Sequence, residues 1–98
     1  MDLRSNITDR LFEAILKLDS IDDCYRFFED LCTIKELRDL SQRFQIATLL
    51  DHGLNYQSIV READASTTTI SRVNHCLNYG TGGYRDVLDR LKEPKEEA

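Results

Sequence analysis

Between Thr33 and Gly53 nothing in the chain interrupts a helix, and that stretch constrains the fold more than any other. Thr33-Ile34-Lys35-Glu36 has the form of a capping box, with Thr33 as N-cap and Glu36 three positions on. Gly53 supplies a residue suited to the left-handed stop after His52. The helix between them would be roughly 28 Å long, about the width of a small domain. Its apolar residues start as one stripe (Ile34, Leu37, Leu40, Phe44, Ala47, Leu50), and Ile46 and Leu49 then carry the stripe most of the way round. A helix apolar on several sides must be enclosed on several sides. A chain of 98 residues has few spare helices for that task, so a second subunit is expected.

The flanking segments also carry helical periods. Ile7, Leu11, Ala14, Ile15 and Leu18 predict a first helix from about Ser5 to Leu18. Ser20 followed by Asp23 resembles a capping box with a shorter acid. Ile21, Cys24, Tyr25, Phe28, Leu31 and Cys32 give the second stripe, with both cysteines on the apolar face. Asn55 is placed to cap a short helix from Tyr56 to Ala63, and Ser66 to cap another that ends before Gly80. A last helix from Tyr84 to about Lys92 would bury Tyr84, Val87, Leu88 and Leu91, and the tail from Glu93 to Ala98 is expected to fray. No segment alternates with the two-residue period of a strand, so the fold class is all-α with six helices.

Composition removes several function classes. With 41% apolar and 32% charged residues the chain is neither disordered nor membrane-embedded. No apolar run reaches the ~18 residues of a membrane span. Met1-Asp2-Leu3-Arg4-Ser5 has no basic stretch leading into an apolar one, so a secretory signal is not expected. Cys24, Cys32 and Cys76 are odd in number and form no C-x-x-C pair, which argues against a disulfide framework or a zinc site and for the cytoplasm. An enzyme is not expected. No nucleophile motif surrounds His52 or His75, Asp22-Asp23 read as capping residues, and Gly80-Thr81-Gly82-Gly83 has neither the preceding strand nor the following lysine of a phosphate loop. The net charge of −5 is concentrated in residues 1–32, where eight acids face four bases. Such a chain repels nucleic acid at long range, but contacts are made by one face and not by the average.

One later stretch is neutral, with two acids and two bases. Residues 55–79 have the outline of a helix-turn-helix, whose second helix reads the DNA major groove. Ile59, Val60, Ala63, Ala65, Ile70 and Val73 would form the shared core, and Asp64 stands where the turn commonly has glycine. On the second helix, Thr69, Val73, Cys76 and Leu77 gather with Ile70 inward, leaving Thr67, Thr68, Ser71, Arg72, Asn74, His75 and Asn78 outside. No acid occurs from Ser66 until Asp86. Arginine matches a guanine edge, asparagine an adenine edge, and threonine methyls pack on thymine. The expected DNA-contacting set is Gln57, Ser58, Ser66, Thr67, Thr68, Ser71, Arg72, Asn74 and His75, with Gln57 and Ser58 near phosphates.

Ala65-Ser66-Thr67-Thr68-Thr69-Ile70-Ser71-Arg72 resembles the recognition helix of the Trp repressor superfamily. The strings from Asp22 to Ile34 (DDCYRFFEDLCTI) and from Ser71 to Gly80 (SRVNHCLNYG) resemble its YerC/YecD branch, and the likeness runs from about Leu11 to Leu91. The resemblance implies an intertwined homodimer with two helix-turn-helix heads set to meet successive major grooves of double-stranded DNA. It implies a single domain over residues 1–98: a dimerisation core at 5–54, the helix-turn-helix at 55–79 and a C-terminal helix at 84–92. The Trp repressor holds its corepressor between the long central helix and the recognition helix. Thr33, Arg43 and Arg72 coincide with residues lining that pocket, whereas Val73 replaces a glycine and Cys76 a serine. Valine fills space open to the ligand and cysteine is a poor partner for an ammonium group, so L-tryptophan is not expected as a cofactor. An unidentified small-molecule effector, a smaller or differently placed anion, remains compatible with the rest of the cleft. The expected function is a sequence-specific transcription regulator, a repressor, reading DNA with helix 66–79. The alternative is a helical dimeric protein-interaction module without DNA binding.

Overall fold

The computed structural model describes residues 4–92. Within them lie six helices: α1 (Asn6–Ile15), α2 (Ile21–Leu31), α3 (Ile34–Asp51), α4 (Tyr56–Ala63), α5 (Thr67–Tyr79) and α6 (Gly83–Lys92). No strand occurs among the described residues.

The helix boundaries follow from local hydrogen bonds. The Ser5, Ser20 and Ser66 hydroxyls accept from the amides of Thr8, Asp23 and Thr69, and the Asn55 side-chain oxygen accepts from that of Ser58. Thr33 and Glu36 form the reciprocal box: the Glu36 amide donates to Thr33 Oγ1 (3.1 Å) and the Thr33 amide to Glu36 Oε1 (2.9 Å). Those bonds hold the Glu36 carboxyl below its ordinary value. The Ser20–Asp23 pair departs from the expected form. Asp23, one methylene shorter than glutamate, accepts from the Asp19 amide and not from that of Ser20. At the end of α3 the Leu54 amide donates to Leu49 O and the Gly53 amide to Leu50 O, with Gly53 at φ +83°; this is a Schellman stop. The first helix stops earlier than its apolar period suggests. The amides of Lys17 and Leu18 bond back three residues, to Ala14 and Ile15, so Leu18 lies in a tightened turn.

The residues divide into two compact units, Met1–Leu37 and Arg38–Ala98, with the boundary inside α3. In the first, α1 and α2 have no buried residue. Their apolar stripes are only partly covered: Leu11, Ile15, Leu18, Phe28 and Cys32 are half-buried, while Ile7, Ile21 and Tyr25 are exposed, and Cys24, expected on a covered face, is exposed as well. Periodicity fixes which residues share a face and says nothing of what covers it.

The second unit holds the core. Ile46 and Ala47 of α3, Ile59 and Ala63 of α4, Ala65 of the turn, Ile70 and Val73 of α5 and Leu88 of α6 are buried together. Ile46, Ile59 and Ile70 are fully enclosed, each worth about 1.5–3 kcal/mol relative to exposure. Val60 and Tyr84 pack against this cluster half-buried. Two expected members of α6 are absent from it: Val87 and Leu91 are 45% and 68% exposed. The core meets one side of α6, at Leu88, and leaves the side carrying Leu91 uncovered. An ion-pair cluster ties α6 to the end of α3 instead. Asp51, with a side chain 7% exposed, receives Arg85 on Oδ1 and Lys92 on Oδ2, both at 2.5 Å.

Candidate nucleic-acid interface

α4 and α5 meet across a three-residue turn, Asp64 to Ser66. Asp64 has φ 50° and ψ 48°, the left-handed conformation that aspartate adopts more readily than most residues. Ala65 is buried beneath the turn, and Ser66 caps α5. A long-range bond fixes the corner: Gln42 of α3 donates from its side-chain amide to the carbonyls of Ala63 and Asp64, each at 3.1 Å. Those carbonyls close α4, where no helical amide follows to receive them.

With Ile70 and Val73 anchored, helical geometry turns the opposite side of α5 outward. Thr67, Thr68, Ser71, Arg72 and His75 are all exposed and line one broad depression, joined there by Cys76. The other expected residues divide by role. Ser66 is exposed, but its hydroxyl is engaged in the cap and with Thr69 Oγ1 at 3.1 Å. Asn74 is half-buried, and its side-chain and main-chain oxygens both accept from Asn78 at 3.0 Å. Gln57 is exposed and Ser58 half-buried at the start of α4.

A second concavity, about 480 Å³, lies between α3, α5 and α6. Asp39, Gln42, Arg43, Thr69, Arg72, Val73, Cys76 and Tyr84 line it. It therefore gathers four of the five expected cleft residues; the fifth, Thr33, belongs to the other compact unit and caps α3 there. Val73 is 4% exposed, so its isopropyl group belongs both to the floor of the cleft and to the core. Cys76, expected to point inward, is exposed and borders both concavities, whereas the adjoining Leu77 packs half-buried against the core. Arg72 borders both as well.

Asp39, Gln42, Thr69 and Tyr84 were not among the expected cleft residues. Asp39 lies four residues before Arg43 and Thr69 four before Val73, spacings that share a helix face and could have found them; Gln42 and Tyr84 offered no such signal. Burial raises the Tyr84 phenol above its ordinary value, with Cys76 adding to the effect and Arg43 opposing it. Two guanidinium groups against one carboxylate give the cleft a cationic lining suited to an anionic ligand.

The family profile described as Trp repressor protein matches residues 7–92. The uncharacterised protein YerC of Bacillus subtilis (strain 168) is 50% identical over 96 residues, covering 98% of this chain and 92% of that one. Among solved structures, a candidate Trp repressor from Staphylococcus aureus superposes with a TM-score of 0.89 at 45% identity, covering 96% of this chain and 94% of that one. A TrpR-like protein from Eubacterium eligens superposes equally well, TM-score 0.89 at 47% identity, covering 96% and 97%. A profile match across almost all the described residues, joined to half-identity with YerC, leaves no other placement: the chain belongs to the Trp repressor family.

Proposed function

We propose that the chain is a sequence-specific DNA-binding transcription regulator, a repressor, that acts as a homodimer and reads the major groove with the helix opened by Ser66. The observation that carries this reading is the outer face of α5. Thr67, Thr68, Ser71, Arg72 and His75 stand exposed together on a helix without an acid, in a chain of net charge −5. Short hydrogen-bonding groups and an arginine suit base edges, whereas a merely solvated face normally carries glutamate and lysine. The packing of α4 against α5 around Ile59 and Ile70, with the left-handed Asp64 between them, supports a helix-turn-helix. Gln57 and Ser58 then lie near phosphates, while Ser66 and Asn74 chiefly hold the helix that presents the readers.

The exposed apolar faces of α1 and α2 support an intertwined dimer in which residues 5–54 supply the dimerisation core. They are also what favours the second reading, an interaction module that does not bind DNA. A repressor family is a regulatory one, and no enzymatic role is proposed. Tryptophan is not proposed as a corepressor, because Val73 and Cys76 narrow and depolarise the cleft; a smaller anion between Arg43 and Arg72 would fit its charge. No helix among the described residues is long and apolar enough to cross a membrane. Together with the DNA role, that supports a place in the cytoplasm.

Selection of a binding site from random duplex DNA, followed by salt titration, tests the reading. A regulator yields one enriched sequence and loses affinity steeply with salt, and an interaction module retains no duplex. Thr68→Glu and Ser71→Glu should each abolish binding while leaving helicity intact; retained affinity in both would contradict the placement of α5.

A further inference from the structure

The face of α5 that carries Thr68, Arg72 and His75 continues to Tyr79, the last residue of the helix. Steps of four, three and four residues keep all four within about 60° of one another around the axis. Tyr79 is 78% exposed, a large aromatic left in solvent beside a polar surface. Its ring lies 5.3 Å from that of His75, so the two form one paired surface. The surrounding sequence favours an anionic partner: from Ala65 to Tyr84 there is no acid, and the stretch carries Arg72. The main chain closes firmly behind Tyr79, where the Gly80 amide donates to Cys76 O at 2.9 Å.

We propose that Tyr79, paired with His75, extends the DNA-contacting face by a further turn and donates its phenolic O–H to a backbone phosphate. Recognition helices put their N-terminal residues at the base edges. Tyr79 lies about 16 Å further along the axis than Thr68, which exceeds the ~12 Å width of the major groove. At that distance the tyrosine meets the rim of the groove, where the phosphates are, and not the bases. Tyrosine is among the side chains that bind phosphate oxygens, and such contacts orient the protein without carrying sequence information.

This rests on the DNA-reading assignment of α5, and one set of variants separates the two. Duplex binding is compared for the parent chain, Thr68→Glu, Tyr79→Phe and Tyr79→Ala, on the selected sequence and on a scrambled one. Tyr79→Phe keeps the ring against His75 and loses only the hydroxyl. It should weaken both duplexes by about fivefold. Tyr79→Ala should weaken them at least as much. The slope of affinity against salt should stay that of the parent, since no charge is removed. If Thr68→Glu loses binding while both Tyr79 variants bind as tightly as the parent, the phosphate contact is wrong and the reading of α5 stands. A change of sequence preference in Tyr79→Phe would also overturn the contact, since it would make the tyrosine a base reader. If Thr68→Glu binds like the parent, the reading of α5 falls and takes this proposal with it.

Discussion

Gln42 donates its side-chain amide to the main-chain carbonyl of Asp64 across 22 residues of sequence, and the same nitrogen reaches the carbonyl of Ala63. One side chain of α3 thus supplies the partners that the end of α4 lacks. Gln42→Leu keeps comparable bulk and removes both bonds. It should lower stability by about 1–2 kcal/mol, read as a fall in the urea midpoint at unchanged slope. Gln42→Glu should be worse at neutral pH, because a carboxylate would face two carbonyl oxygens.

Asp51 gives the chain a defined acid response. Lys92, and next Arg85, hold its carboxyl down to about 2, against an ordinary value of 3.8. A value depressed in the folded state stabilises above the ordinary value, and that contribution disappears as pH falls through the folded one. Asp51→Asn should therefore be less stable than the parent at neutral pH, and the gap should close between pH ~4 and ~2. Thermal melts of both proteins along that range check the convergence.

Gly80 tolerates no side chain. A β-carbon there would stand 2.4 Å from the carbonyl oxygen of Cys76, the atom that already accepts the Gly80 amide at 2.9 Å. Gly80→Ala should cost about 1–3 kcal/mol and loosen the last turn of α5. Faster amide exchange at Tyr79 and Gly80, with the Ile70 amide unaffected, would locate the damage.

The uncovered faces of α1 and α2 lead to an assembly test. Sedimentation at low micromolar concentration should give about twice the 11.4 kDa chain mass, and dilution should lower the melting temperature. A well-folded monomer under those conditions would remove the argument for the dimer.

For the cleft, the expectation is an absence of response to tryptophan. Calorimetry with millimolar L-tryptophan should show no saturable heat, and DNA retardation should not change on adding it. A dissociation constant below ~100 µM would show that the pocket rearranges around Val73.

What could be read in the sequence was local. Ser20, Asn55 and Ser66 each cap an amide three residues away, and the Gly53 stop closes within a few residues, so residue type and spacing sufficed. The shared core of α4 and α5 was legible because Ile59, Ala63, Ile70 and Val73 keep a helical period on both sides of one turn. The Asp51–Arg85 bond was not, since its partners lie 34 residues apart and each charge reads alone as an ordinary surface residue. Cys76 shows the same limit within the candidate site. A helical wheel groups it with Val73, but only the packing of neighbouring helices decides that Val73 is buried and Cys76 exposed.

The left-handed backbone of Asp64 also sets how this corner can vary. The conformation crowds any β-carbon against the neighbouring carbonyl, by roughly 1–2 kcal/mol, and β-branched side chains suffer most. Glycine would relieve that crowding, and asparagine would tolerate it about as well as aspartate does. Replacement by valine or isoleucine would strain the turn between α4 and α5 more than any other part of the corner. Exposed side chains of α5 can therefore change one at a time, while the residue at the left-handed turn before it stays confined to a few small or polar types.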